Sequence, residues 1–117
     1  MSEVLNAQIT NVSLGYDDHG IFTFGLTLHI AGGLGCVFGG YALDTYNEEL
    51  KKRVCNRYSI ECLTEIMKTV GVEKWEQLQG KYLRVVYERR EPIKKIGNLM
   101  KDQWFDIEEF FEKCSDE

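Results

Sequence analysis

The sequence predicts an α+β fold: an antiparallel sheet of about five strands in the order β-β-β-α-β-β-α, covered by one main helix with a short C-terminal helix. Three observations carry this reading. Residues 21–30 alternate, with Phe22, Phe24, Leu26, Leu28 and Ile30 on one face and Ile21, Thr23, Gly25, Thr27 and His29 on the other. Such a period of two is a strand with one apolar face. Residues 59–70 set Leu63, Ile66, Met67 and Val70 at helical spacing ahead of Gly71, a helix stop. Residues 105–110 combine a capping box, Asp106 with Glu109, and a hydrophobic staple, Phe105 with Phe110.

The elements follow in chain order. Over residues 4–14, Leu5, Ala7 and Ile9 share one phase and Val12 and Leu14 the other, so a bulge near Thr10–Asn11 is expected. The segment 15–20, GYDDHG, is rich in turn formers and joins the first two strands as a hairpin loop. Residues 34–43 continue the sheet. Residues 44–58, DTYNEELKKRVCNRY, read as a long polar connection with a helical turn, and Ser59 as the cap of the main helix. Trp75 and Leu78 anchor one short helical turn. Residues 82–89 form a strand with Leu83, Val85 and Tyr87 opposite Tyr82, Arg84 and Val86. After the RREP turn, residues 93–100 return as another strand, with Gly97 at a bulge or edge position.

Composition bounds the class. A chain of 117 residues with 44% hydrophobic and 28% charged content is expected to be one soluble domain, residues 1–117. The N-terminus lacks the basic and apolar regions of a signal peptide, so a cytoplasmic home is expected. The four cysteines, Cys36, Cys55, Cys62 and Cys114, form no C-x-x-C pair, which argues against a zinc site. Charge is uneven. Residues 1–50 hold six of the 19 acids and none of the 14 basic residues, so the first part carries −6 and the rest +1. A continuous nucleic-acid-binding face is disfavoured by that balance. An acidic surface that meets a basic partner is compatible with it.

The stretch 29–44, HIAGGLGCVFGGYALD, poses the question of a phosphate loop. Gly33 and Gly35 begin a G-x-G, but Phe38 stands where the third glycine belongs, and no Lys-Ser or Lys-Thr follows. Gly32-Gly33 instead suits a tight primed turn. Gly39 and Gly40 mark a bulge or a close approach to backbone.

Two sets of residues could carry chemistry. Asp17, Asp18 and His19 put two carboxylates beside an imidazole, groups that move protons or hold metals. Adjacent turn residues point apart, however, and no catalytic motif accompanies them. The aromatic residues Tyr41, Tyr46, Tyr58, Tyr82, Tyr87 and Trp104 suit interfaces or nucleobase pockets.

The segments NVSLGYDDHGIFTFGLTL, FGGYALD, IMKTVGVEKWEQLQGKYLRV and IGNLMKDQWFDIEEFF together resemble small uncharacterised proteins encoded by bacteriophages and prophages. The resemblance covers about residues 7–111 and transfers no catalytic or binding residues. It implies a context in which small accessory proteins counter host defence by binding. Such a protein sequesters a nucleotide immune signal, as Thoeris anti-defence sponges do, or blocks a host immune protein. The expectation is a non-enzymatic binder without cofactor, with Tyr41 beside Gly39 and Gly40 supplying an aromatic face and Arg57 and Arg84 the cations. The alternatives are an enzyme of nucleotides or nucleic acid working through Asp17, Asp18 and His19, or a structural or regulatory phage protein. Surplus apolar and aromatic surface further predicts a homodimer.

Overall fold

A computed structural model of the protein describes residues 2–30, 32–56 and 58–115. The first three strands, β1 (Ser2–Tyr16), β2 (Phe22–Ile30) and β3 (Leu34–Ala42), form an antiparallel meander. The alternation of β2 is realised: Phe24, Leu26, Leu28 and Ile30 are buried, while Thr27 and His29 face solvent. In β1 the register shifts between Ile9 and Asn11. That bulge, where the sequence placed it, moves the strand from the phase of Ala7 and Ile9 to that of Val12. β1 thereby serves two partners, β6 (Tyr82–Glu88) over its first half and β2 over its second. Gly32 and Gly33 both take positive φ, as a glycine pair allows. The closing bond runs from Gly33 N–H to Ile30 C=O, so Gly33 ends the turn and is not one of its two central residues.

The main sheet has six strands, not about five: β3, β2, β1 and β6 side by side, then β7 (Lys95–Gly97) and β8 (Trp104–Asp106). The expected strand over 93–100 is shorter, β7 alone, and the chain returns as β8. Asn98 turns it. Its Oδ1 accepts the N–H groups of Met100 and Lys101, and its Nδ2 donates to the carbonyls of Thr69 and Val70 at the end of the main helix. The sheet curls until Phe38 in β3 bridges Ile93, just ahead of β7.

The expected connection over 44–58 is instead a second hairpin, β4 (Asp44–Asn47) with β5 (Lys52–Cys55). The Asn47 carboxamide closes its turn by accepting Leu50 N–H, and buried Asp44 meets Arg53 across the pair at 2.8 Å. The element order is therefore β-β-β-β-β-α-β-β-β-α.

Helix α1 (Ser59–Val70) buries Cys62, Leu63, Ile66, Thr69 and Val70. Met67 lies at the margin of this face, half-buried. Ser59 is inside the helix and not its cap: its hydroxyl donates to the Asn56 carbonyl, and the capping position is Tyr58. Gly71 closes the helix at φ 94°, as expected. A 3-10 turn (Trp75–Leu78) buries Leu78 and sets the Trp75 ring edge-on to Phe24. In α2 (Ile107–Ser115) the staple is present, with Phe105 and Phe110 packed at 5.6 Å between centroids, and the expected capping box is half made: Asp106 Oδ1 accepts Glu109 N–H, while the Glu109 carboxylate pairs with Lys113. The buried residues of sheet and helices form one hydrophobic cluster. No helix among the described residues is long and apolar enough to cross a membrane.

Candidate functional site

Gly39 and Gly40 form the bulge of β3, where the register against β2 shifts. A Cβ on Gly39 would lie 2.8 Å from the Phe24 carbonyl oxygen, and its φ of 122° is open to glycine alone. The expected bulge lies at this pair, and the expected close backbone approach is at Gly39 alone, since a Cβ on Gly40 would meet nothing within 4 Å. The bulge re-aims Tyr41, whose carbonyl accepts the Thr23 hydroxyl at 2.7 Å and whose ring packs on Phe111 at 5.9 Å. Burial, and then the Glu108 carboxylate, push the Tyr41 hydroxyl above its ordinary pKa. The shallow recess there is lined by Tyr41, Phe111, Glu108 and Glu112, so its charged groups are acidic.

Arg84 does not join Tyr41. It lies on β6, separated from β3 in the sheet by β1 and β2. Its Nε donates to the Asn98 carbonyl and its Nη2 to the Lys101 carbonyl, each at 2.7 Å. Through these two bonds the guanidinium holds the β7–β8 loop. Arg57, the other expected cation, lies outside the described residues.

The Asp17–Asp18–His19 turn is built as a turn. Asp17 Oδ1 accepts the N–H groups of His19 at 2.9 Å and Ile21 at 3.0 Å, an Asx arrangement that closes the hairpin. The Ile21 bond is the main cause of the lowered pKa of Asp17. All three residues are exposed. Among the described residues, no three of His, Cys, Asp and Glu come together in a group that could hold a metal ion.

The recess that combines aromatic rings with ammonium groups lies elsewhere. A cavity of about 380 Å³ is lined by Glu65 of α1, Lys95 of β7, Trp104, Phe105 and Asp106 of β8, and Glu109, Phe110 and Lys113 of α2. Register builds it: Arg84, Gly97 and Trp104 are cross-strand neighbours over β6, β7 and β8. Because Gly97 has no side chain, the indole reaches across it to Arg84, whose guanidinium carbon stands 4.5 Å from the ring centroid. Trp104 Nε1 donates to Asp102, and Lys95 Nζ stands 5.6 Å from the ring centroid. Lys95 makes no ion pair among the described residues, whereas Lys113 is held by Glu109 at 2.9 Å, which raises its pKa.

Residues 98–103 turn the chain from β7 into β8. The spacing of Gly97 and Trp104 around a turn former, Asn98, was the available signal for a hairpin here.

No protein-family model matches this chain, and no curated protein matches it.

Proposed function

We propose that this chain works by binding and not by catalysis, holding a nucleotide-derived small molecule in the β8–α2 recess. In a phage context this is the action of an accessory protein that counters host defence in the host cytosol. The observation that carries the reading is the juxtaposition of Trp104 and Phe110 with Lys95 and Lys113 around one cavity. A base is held by aromatic contact, and phosphate by ammonium groups. Among the described residues Lys95 makes no ion pair, and the exposed Lys113–Glu109 pair is of a weak kind that a phosphate can displace. Glu65, Asp106 and Glu109 on the same rim disfavour a polyphosphate and favour a ligand of low charge with hydroxyl groups to donate. Against catalysis stands Asp17, whose carboxylate is occupied by its own turn.

The test is to incubate the protein with candidate cyclic nucleotides, remove unbound ligand, denature, and analyse what is released. Intact ligand in proportion to protein, lost in Lys95→Glu, is the expected result. Turnover that disappears in Asp18→Ala or His19→Ala would establish the enzyme reading instead. An empty protein that captures a host immune protein would replace the small-molecule reading with a protein-blocking one.

A further inference from the structure

The main sheet has two free edges, and the chain treats them differently. β8 is three residues long and ends in a charged residue, Asp106. β3 is nine residues long, and no charged residue and no proline occurs from Gly32 to Leu43. Natural edges are blunted by charge, proline, bulges or cover. Half of β3 has such protection, because the Gly39–Gly40 bulge distorts it and Ile93 bridges it at Phe38. The other half, Leu34–Cys36, has none.

The ladder shows which groups are unpaired there. Phe22 C=O accepts Leu43 N–H, so the even-numbered residues of β2 address β3. Their partners Leu34, Cys36 and Phe38 turn their main-chain groups toward β2, so Gly35 turns both of its groups to the free side, while Val37, which also faces outward, flanks the Phe38–Ile93 bridge and keeps its N–H for a new partner. Leu34 and Val37 are 46% and 54% exposed, so both faces of this edge carry apolar surface.

We propose that this edge pairs antiparallel with the same segment of a second copy, joining two sheets across a two-fold axis. Antiparallel pairing makes a strand its own complement, since each residue meets its counterpart in reversed order. Charge favours the same partner. A chain of net charge −5 repels its copies, and the uncharged run of β3 is where two of them can meet without like charges opposed. Ile93 limits the contact to Leu34–Val37 and the turn before it. The proposal is independent of the ligand reading.

Sedimentation of the full chain over a concentration series is expected to show a monomer–dimer equilibrium, and amide exchange at Gly35 and Val37 should slow as dimer forms. Val37→Lys, on an exposed position that tolerates the side chain, should leave the thermal transition in place and give monomer. Val37→Thr should remain dimeric. A wild-type monomer at tens of micromolar overturns the proposal. So does a dimer that survives Val37→Lys, or one whose Gly35 amide exchanges at the monomer rate. Binding of a different protein to this edge, with the chain itself monomeric, overturns it as well.

Discussion

Trp104 lies directly across Gly97. A Cβ built on Gly97 would come within 2.5 Å of indole Cζ3 and 2.7 Å of Cδ2, distances that real side chains do not reach. The neighbour is a large ring held on its far side by Arg84 and at Nε1 by Asp102, so it cannot give way cheaply. Gly97→Ala is therefore expected to cost about 2 kcal/mol, the usual scale of overpacking. It should also loosen the Arg84 bonds to Asn98 and Lys101. Urea unfolding reads the first effect, and amide exchange across residues 98–103 the second. An unchanged midpoint would show that the indole does not rest there.

Asp44 and Arg53 give a pH prediction. The Arg53 guanidinium, bonded at 2.8 Å, holds the Asp44 carboxyl below the ordinary carboxylate range, with Phe22 N–H assisting. A carboxylate with a lowered folded-state pKa contributes stability above its unfolded pKa of about 3.9, and that contribution is lost as pH falls through the folded value. Asp44→Asn should therefore melt below wild type at neutral pH, and the two melting curves should converge on acidification. A constant offset down to strongly acid pH would mean that the ion pair contributes nothing.

That pair also shows where the fold stopped being legible. β2 announced itself because one face is buried and the other is not, which writes a period of two into the residues. β4 and β5 carry polar residues on most positions, and their pairing depends on a contact between residues nine apart, which periodicity does not record. β8 is too short to have a period. The cap and staple of α2 were legible because both signals are local. The recess was not, since it depends on the β7–β8 register and on a side chain that Gly97 lacks. Arg84 looked like a ligand-binding cation because its type was visible and its two carbonyl partners, 14 and 17 residues away, were not.

The thiols should separate by reactivity. Cys62 is fully buried, and burial, with a smaller effect of Cys114, pushes its thiol up to about 12. Burial also raises Cys36, while Cys55 is exposed. The thiolate is the reacting form. Iodoacetamide at mildly alkaline pH should label Cys55 first in the folded protein and Cys62 only after unfolding, read site by site by mass spectrometry. Early labelling of Cys62 would mean that α1 opens readily from the core.

The staple of α2 gives an energetic prediction. Phe110 packs against Phe105 and Phe111 but is only partly buried, so its truncation removes less than a core ring would. Phe110→Ala should cost about 2 kcal/mol, below the range for buried phenylalanine. Asp106→Ala should cost about 1 kcal/mol through the lost bond to Glu109 N–H. Equal, negligible shifts of the urea midpoint would mean that α2 contributes nothing to folding.

The β1–β2 turn separates a structural role from a chemical one. Asp17 accepts two main-chain N–H groups, whereas neither Asp18 nor His19 has a side-chain bond among the described residues. An alanine at 17 leaves the Ile21 and His19 amides to solvent and removes a charge-assisted closure of the hairpin. Asp17→Ala should therefore lower the urea midpoint. Asp18→Ala and His19→Ala should leave both stability and ligand retention at the wild-type level. An active site would reverse the order, because catalytic groups are held at some cost to stability and their removal abolishes turnover. The measurement is one set of three variants, each followed by urea unfolding and by release of bound nucleotide after denaturation. If His19→Ala raises stability and ends a measurable conversion of the nucleotide, the turn is a reaction centre and the binding reading fails. If Asp17→Ala alone unfolds more easily and all three release intact ligand, the acids of this hairpin serve the fold.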